Sequence, residues 1–296
     1  MSSLTINTAI ACLAIGDVHL RVYFQDSEDY IRESQGGFWT GGTINNRLFQ
    51  AKPNTPLAAI SWGCEPRIRI YYVDNKNILQ EHSWDGSSWY TGSLGRSNIK
   101  VDHRSKLAAC TWSATPCVRL YCQLPGSLAI NEVCWDGNGW KMGTTLPNAQ
   151  LGSSFAAVQF QKMGTQLRVY YQTRDNTIHE HCWDVTAWVI GHTFGKGPAG
   201  TAIGAIAWSG GLQIRVCYEQ PNGNGGIIQQ DYKPIDGWNR YEPMTITSTL
   251  PNTCLSLCCW GDIQIRYYYQ RVSNEIQEFC WNPDSGLFIG AKIPTR

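Results

Sequence analysis

Residues 67–90 read RIRIYYVDNKNILQEHSWDGSSWY. Their skeleton is Arg69, Tyr71, Glu81, Trp84 and Trp89, and it recurs along the chain. Arginine stands at 21, 69, 119, 168, 215 and 266, in steps of 47 to 51 residues. A step this regular marks one structural unit copied six times. A strand-built unit of about 49 residues cannot bury both of its faces and must stack on its neighbours. The 296 residues therefore read as one repeat-built domain, 1–296.

Working outward from the quoted stretch, each unit opens on a short apolar strand: Ala9–Ile15, Leu57–Trp62, Leu107–Trp112, Phe155–Phe160, Ala202–Trp208 and Leu255–Trp260. Small residues alternate there with larger ones, which suits a crowded centre. A turn such as Gly63-Cys64-Glu65-Pro66 follows. In the second strand Arg69 and Tyr71 share one face, with Ile68 and Ile70 on the other. Period two is the strand signature. A turn rich in Asp and Asn, Asp74-Asn75-Lys76-Asn77, closes a hairpin to the third strand. A second turn, Trp84-Asp85-Gly86-Ser87-Ser88-Trp89, leads to the last strand, which runs on toward Gly42, Gly92, Gly143, Gly191 or Gly290. Four antiparallel strands per unit of this size make a propeller blade, and six make an all-β six-bladed β-propeller. A linear β-solenoid or two three-unit rings are the competing architectures. The sequence leaves open which terminus closes the ring.

Composition removes several functions. Net charge is +1 and no basic block occurs, so electrostatic capture of nucleic acid is not expected. No long apolar run marks a signal peptide or a membrane span, so membrane insertion is not expected either. The expectation is cytosolic synthesis, with nonclassical export to a cell or spore surface left open. The 12 Cys show no metal spacing. Cys134, Cys182 and Cys280 precede a Trp in three units and read as small buried hydrophobes in a reducing compartment. No cofactor or metal is expected. The 13 Trp and 14 Tyr exceed what a core needs, since their polar ends seek partners.

A carboxylate follows each arginine but one. Glu33, Glu81, Glu132, Glu180 and Glu278 lie 12 or 13 residues on, so the hairpin brings each pair together. As surface salt bridges they would contribute only ~0–1 kcal/mol, which leaves the Trp pair beside them unexplained. A planar fork of donors next to two acceptor oxygens can bind vicinal hydroxyls. Aromatic faces then cover the apolar side of a sugar ring. One monosaccharide site of this kind gives roughly −5 to −6 kcal/mol, on the order of 0.1 mM, and copies around a ring add avidity.

The elements Ile68-Arg69-Ile70-Tyr71, Ile130-Asn131-Glu132, Cys134-Trp135-Asp136-Gly137 and Gly139-Trp140, in register across all six units, resemble the fucose-binding propeller lectins of fungi and bacteria, the Aleuria aurantia lectin type. The resemblance implies a non-enzymatic lectin. Its ligands would be L-fucose and fucosylated glycans of glycoproteins or glycolipids, on a host or on its own surface. Each fucose would lie between Arg and Glu of one blade and the Trp pair of the next, its methyl group against the aromatics. Members of that family often pair, so a homodimer is a further expectation.

Carried over by position, Arg21 and Glu33 meet Trp84 and Trp89; Arg69 and Glu81 meet Trp135 and Trp140; Arg119 and Glu132 meet Trp183 and Trp188. Arg168 and Glu180 meet Trp238, with Lys233 at the first Trp position and Tyr232 beside it. Arg215, with Gln230 in place of Glu, faces Trp281 and Leu287. Arg266 and Glu278 wrap round to Trp39, where Gly36 replaces the first Trp. The first three sites are expected to be strongest and the fifth weakest. A second set, Trp62, Trp112, Trp208 and Trp260, reads as packing between blades, with a pocket wall as the alternative. A glycosidase would instead need one unique carboxylate pair, and a scaffold for protein partners would ignore free sugar.

Overall fold

Alternation of apolar and polar residues makes each of these segments a strand. In Arg67–Val73 the even positions Ile68 and Ile70 are buried against one neighbouring blade, while Arg69 and Tyr71 face the other. The computed structural model describes residues 4–16, 19–63, 66–112, 116–208, 213–221, 226–240, 249–261 and 263–295. Blade two comprises Ala58–Trp62, Arg67–Val73, Leu79–Trp84 and Trp89–Thr91, hydrogen-bonded in that order. Its hairpin turns on Asn77, at φ 60°. Asn tolerates this left-handed conformation better than most residues. The expected turn at Gly63-Cys64-Glu65-Pro66 includes two residues outside those described.

All six blades repeat this antiparallel meander. The fourth element of blade one is split into Thr40–Gly41 and Arg47–Gln50 around a 3-10 turn, Ile44–Asn46. The six inner strands touch in a closed ring, the first against the last. They surround a narrow channel of about 260 Å³ lined in part by Ala58, Ala59, Ala108, Ala109, Ala156 and Ala157. The small residues are therefore where crowding requires them. One core lies between each pair of neighbouring blades, built from the facing sheets of both.

Two buried polar devices tie the loops between blades to the sheets. Thr8, Thr55, Ser105, Ser153, Thr201 and Thr253 each accept the backbone N–H ending the second strand, at 2.8–3.0 Å. In four blades that strand ends in Gln. Gln25 donates to Lys52 O and Gln172 to Pro198 O, both at 2.8 Å, in the loop entering the next blade. Backbone N–H groups there donate back, Gly152 to Gln123 at 3.0 Å and Gly200 to Gln172 at 2.8 Å. A buried amide with both ends satisfied is a directional latch. Val73 and Glu219 replace Gln in blades two and five.

Among the described residues neither terminus lends a strand to the other's blade, because every sheet is contiguous in sequence. Side chains close the ring instead. Gln270 donates to Thr5 O at 2.9 Å, Ser34 to Pro294 O at 2.8 Å and Arg32 to Thr295 O at 3.1 Å.

Candidate functional site

The hairpin register decides which side chains meet. Tyr71 pairs with Glu81 and Arg69 with Ser83, so Arg69 and Glu81 are diagonal neighbours on one face. Long side chains reach across that diagonal. The Arg69 Nε lies 3.1 Å from Glu81. The corresponding separations are 3.7 Å for Arg21–Glu33, Arg119–Glu132 and Arg168–Glu180, and 3.6 Å for Arg266–Glu278. In the same five blades the guanidinium donates back to the carbonyl of the preceding residue, Leu20, Ile68, Val118, Leu167 or Ile265. That bond fixes the fork's orientation.

The glycine of the last strand has a specific reason. A Cβ at Gly92, Gly143, Gly191 or Gly290 would collide with the carboxylate of Glu81, Glu132, Glu180 or Glu278. Without one, the carboxylate slides beneath the strand and accepts the next backbone N–H: from Ser93 at 2.9 Å, Thr144 at 3.3 Å, and His192 and Ala291 at 3.0 Å. Gly42 does not serve this way; it makes room for Ser34 and the Pro294 carbonyl. The sequence showed these glycines as a recurrence in the last strand, but not what they accommodate. Burial pushes the Glu81 carboxyl up while Arg69 pulls it down.

The opposite wall comes from the next blade. Trp84–Trp89, Trp135–Trp140 and Trp183–Trp188 each form a tilted pair, with centroids 5.6–5.9 Å apart. Trp89, Trp140 and Trp188 meet Tyr23, Tyr71 and Tyr121 edge-on at 5.8–6.4 Å. His82 and His181 stack flat on Trp89 and Trp188. Burial holds the His82 imidazole down at about 4, so it is a neutral packing partner. Arg69, Glu81, Trp135 and Trp140 thus line one open cleft of about 920 Å³ between blades two and three. Trp62 lines it too and carries the guanidinium of Arg69 on its ring at 4.8 Å. Trp112, Phe160 and Trp260 carry Arg119, Arg168 and Arg266 likewise, at 4.7–5.1 Å. The second aromatic set is therefore a platform for the arginines as well as packing.

The chain matches the family model described as fungal fucose-specific lectin, over residues 4–175 and 153–293. The chain belongs to this family. It is 36% identical to the fucose-specific lectin of Aleuria aurantia, over 97% of this chain and 94% of that one. It is 31% identical to a fucose-specific lectin of Aspergillus oryzae, over 90% and 73%. Among solved structures, a mutant Aleuria aurantia lectin in complex with alpha-methyl-L-fucoside superimposes with a TM-score of 0.91 at 35% identity, covering 100% of this chain and 98% of that one.

Within this family frame the remaining pockets differ from the sequence expectation. In the fourth, the residue paired with Trp238 is Tyr232, not Lys233. Tyr232 and Trp238 lie 5.5 Å apart at 56°, the geometry of the Trp pairs, so the fourth aromatic wall is complete. In pockets three and four an unforeseen carboxylate holds the arginine: Asp136 lies 2.7 Å from Arg119, and Asp184 2.9 Å from Arg168. The sixth pocket keeps Trp39 against Tyr268 at 6.0 Å. Gly36 there leaves no room for a larger residue, because a Cβ would strike Leu20.

Gln230 is not part of the fifth pocket. The ladder pairs Arg215 with Asp231 and Cys217 with Gln229, so Gln229 occupies the Glu position and Gln230 points to the other face. The loop before this strand is longer than in other blades, and a one-residue slip exchanges faces. Gln230 donates instead to the Tyr218 hydroxyl at 2.8 Å. Arg215 lies 3.2 Å from Asp231 and 4.3 Å over the ring of Trp281. It also donates to the Tyr267 hydroxyl at 3.3 Å, and that hydroxyl donates to Gln229 at 2.8 Å. Arg215, Gln229 and the Trp281 face are thus engaged within the protein, while among the described residues Asp231 Oδ1 and Trp208 Nε1 are buried without a hydrogen-bond partner. Leu287 pairs with Trp281 and is exposed.

Among the described residues all cysteines are free and no metal-binding cluster occurs. Cys134, Cys182 and Cys280 are buried beside the carboxylates, and burial first, then the neighbouring charge, pushes their thiols up, to about 12 for Cys134 and Cys280.

Proposed function

We propose that this protein is a multivalent lectin for L-fucose and fucosylated glycans, binding in the pockets between adjacent blades. The observation that carries the reading is the second pocket. A guanidinium and a carboxylate, 3.1 Å apart, face a tilted Trp pair across an open cleft. Among the described residues the buried Tyr71 hydroxyl and Trp140 indole N–H in its wall have no hydrogen-bond partner. Buried polar atoms are rarely left unsatisfied without a role, and bound hydroxyls or the water around them would supply what is missing.

Arg69 would donate to two ring hydroxyls while Glu81 accepts from one, a charge-assisted set. Trp135 and Trp140 offer an apolar corner that fits a methyl group and disfavours a hydroxymethyl. The names and complexes of the relatives support fucose as the sugar. The same reading extends to the pockets of Arg21, Arg119, Arg168 and Arg266, and excludes that of Arg215. Each site is weak alone, on the order of 0.1 mM, so binding to a glycan-coated surface rests on repetition. Titration calorimetry with methyl α-L-fucoside should give several equivalents per chain, and free fucose should abolish red-cell agglutination. Agglutination indifferent to fucose would remove the proposal.

A further inference from the structure

The pockets differ in charge at their lips. Three guanidinium groups line the second cleft, those of Arg67, Arg69 and Arg96, against the single carboxylate of Glu81. Glu81 is already engaged with Arg69. Arg67 and Arg96 are exposed, and among the described residues neither has an ion-pair partner; Glu65 lies outside those residues. The position of Arg67, two before the pocket arginine, is taken by His19, Cys117, Gln166, Gln213 and Gln264 in the other blades. Pocket four carries an extra carboxylate at its lip, Asp184 beside Arg168, and in pocket three the extra carboxylate of Asp136 is matched by both Arg119 and Lys141.

The second cleft is also large. At about 920 Å³ it falls in the range that holds drug-sized ligands rather than one small ring. Space beyond the fucose would be filled by further sugars of a glycan, and Arg67 and Arg96 are part of the same lining. Exposed guanidiniums are weakly hydrated forks matched to planar or tetrahedral anions, and their effect on a ligand is screened by salt.

We infer that the second pocket is an acidic-glycan subsite: Arg67 and Arg96 attract a sulfate ester or carboxylate on the sugars around fucose, an excess of positive charge that pockets three and four do not share. This rests on the fucose reading above, and it adds that the sites are not equivalent toward charged glycans. The test is calorimetry of the full chain with the Lewis x trisaccharide and with its 3′-sulfated form, at 50 mM and 500 mM salt. The sulfated form should bind one site about tenfold tighter than the neutral one at low salt, and most of that advantage should vanish at high salt. In R67Q/R96Q the advantage should be lost, with the neutral trisaccharide and methyl α-L-fucoside binding as before. A sulfated form bound no more tightly than the neutral one, or an advantage that survives in R67Q/R96Q, overturns the inference while leaving the fucose reading intact. Failure of both trisaccharides and the fucoside to bind overturns the fucose reading itself.

Discussion

The second and fifth pockets are built on the same hairpin and reach opposite ends. In the second, Arg69 rests on Trp62 and opens onto Trp135 and Trp140. In the fifth, Arg215 lies over Trp281, the wall meant for a ligand. The change that drives this is a pair of exchanges across the blade interface. The pocket tyrosine of other blades becomes Cys217, and the residue after the next blade's arginine, elsewhere Val, Ile or Leu, becomes Tyr267. Tyr267 refills the vacated volume from the opposite side, and its hydroxyl takes over the bond to Gln229. Asp231 then draws the guanidinium inward. The space that stays open in the second pocket is here filled from within the protein, and exchanging bulk across an interface at nearly constant volume is what cores tolerate best.

The contrast can be broken most forcefully at the arginines. Arg215→Ala should leave the number of bound fucosides unchanged but cost ~3–5 kcal/mol of stability, because Asp231 stays buried without its partner. Arg69→Ala should lower the stoichiometry by one with a smaller stability loss, because the buried Glu81 keeps the backbone N–H bonds from Ser93 and Leu94. Calorimetric titration and urea unfolding separate the two. A smaller effect is expected at Gly143. Its replacement by Ala drives a methyl group into the Glu132 carboxylate, and should cost ~1–3 kcal/mol together with the third site.

Tyr232→Ala sharpens the fourth pocket. If Tyr232 stands in for a Trp, the variant should lose the fourth site's share of fucoside binding, while Lys233→Ala should change little.

The smallest expected effect concerns the latch between blades five and six. Glu219 stands where four blades place Gln, and burial pushes its carboxyl up to about 7, against two backbone N–H bonds that pull it down. Its Oε1 is buried without a partner. A carboxyl whose folded pKa is raised favours the protonated fold, so stability falls as pH climbs from ~4.3 to about 7 and stays reduced above. Glu219→Gln should therefore raise Tm at pH 8 and leave it unchanged at pH 4.

Much of this was legible in the sequence because strand alternation and the arginine step are local signals. The inner strand Leu255–Trp260 matches its observed limits, and the other five fall within one residue at either end. The Arg–Glu diagonal followed from spacing, and the Trp walls of pockets one to three from the family resemblance. What escaped was set by the ladder or by volume. Hairpin spacing could not tell Gln229 from Gln230, nor Tyr232 from Lys233, where loop lengths differ. Ring closure through Gln270, Ser34 and Arg32 uses contacts some 260 residues apart, which no local pattern announces. The glycines were visible as a recurrence, but their purpose appears only when the carboxylate is found beneath them.

The most direct measurement is a crystal of this protein soaked with methyl α-L-fucoside. The account predicts sugar in the pockets of Arg21, Arg69, Arg119, Arg168 and Arg266, with Arg215 still stacked on Trp281 and no sugar beside it. Sugar bound at Arg215, or none at any blade interface, would contradict it.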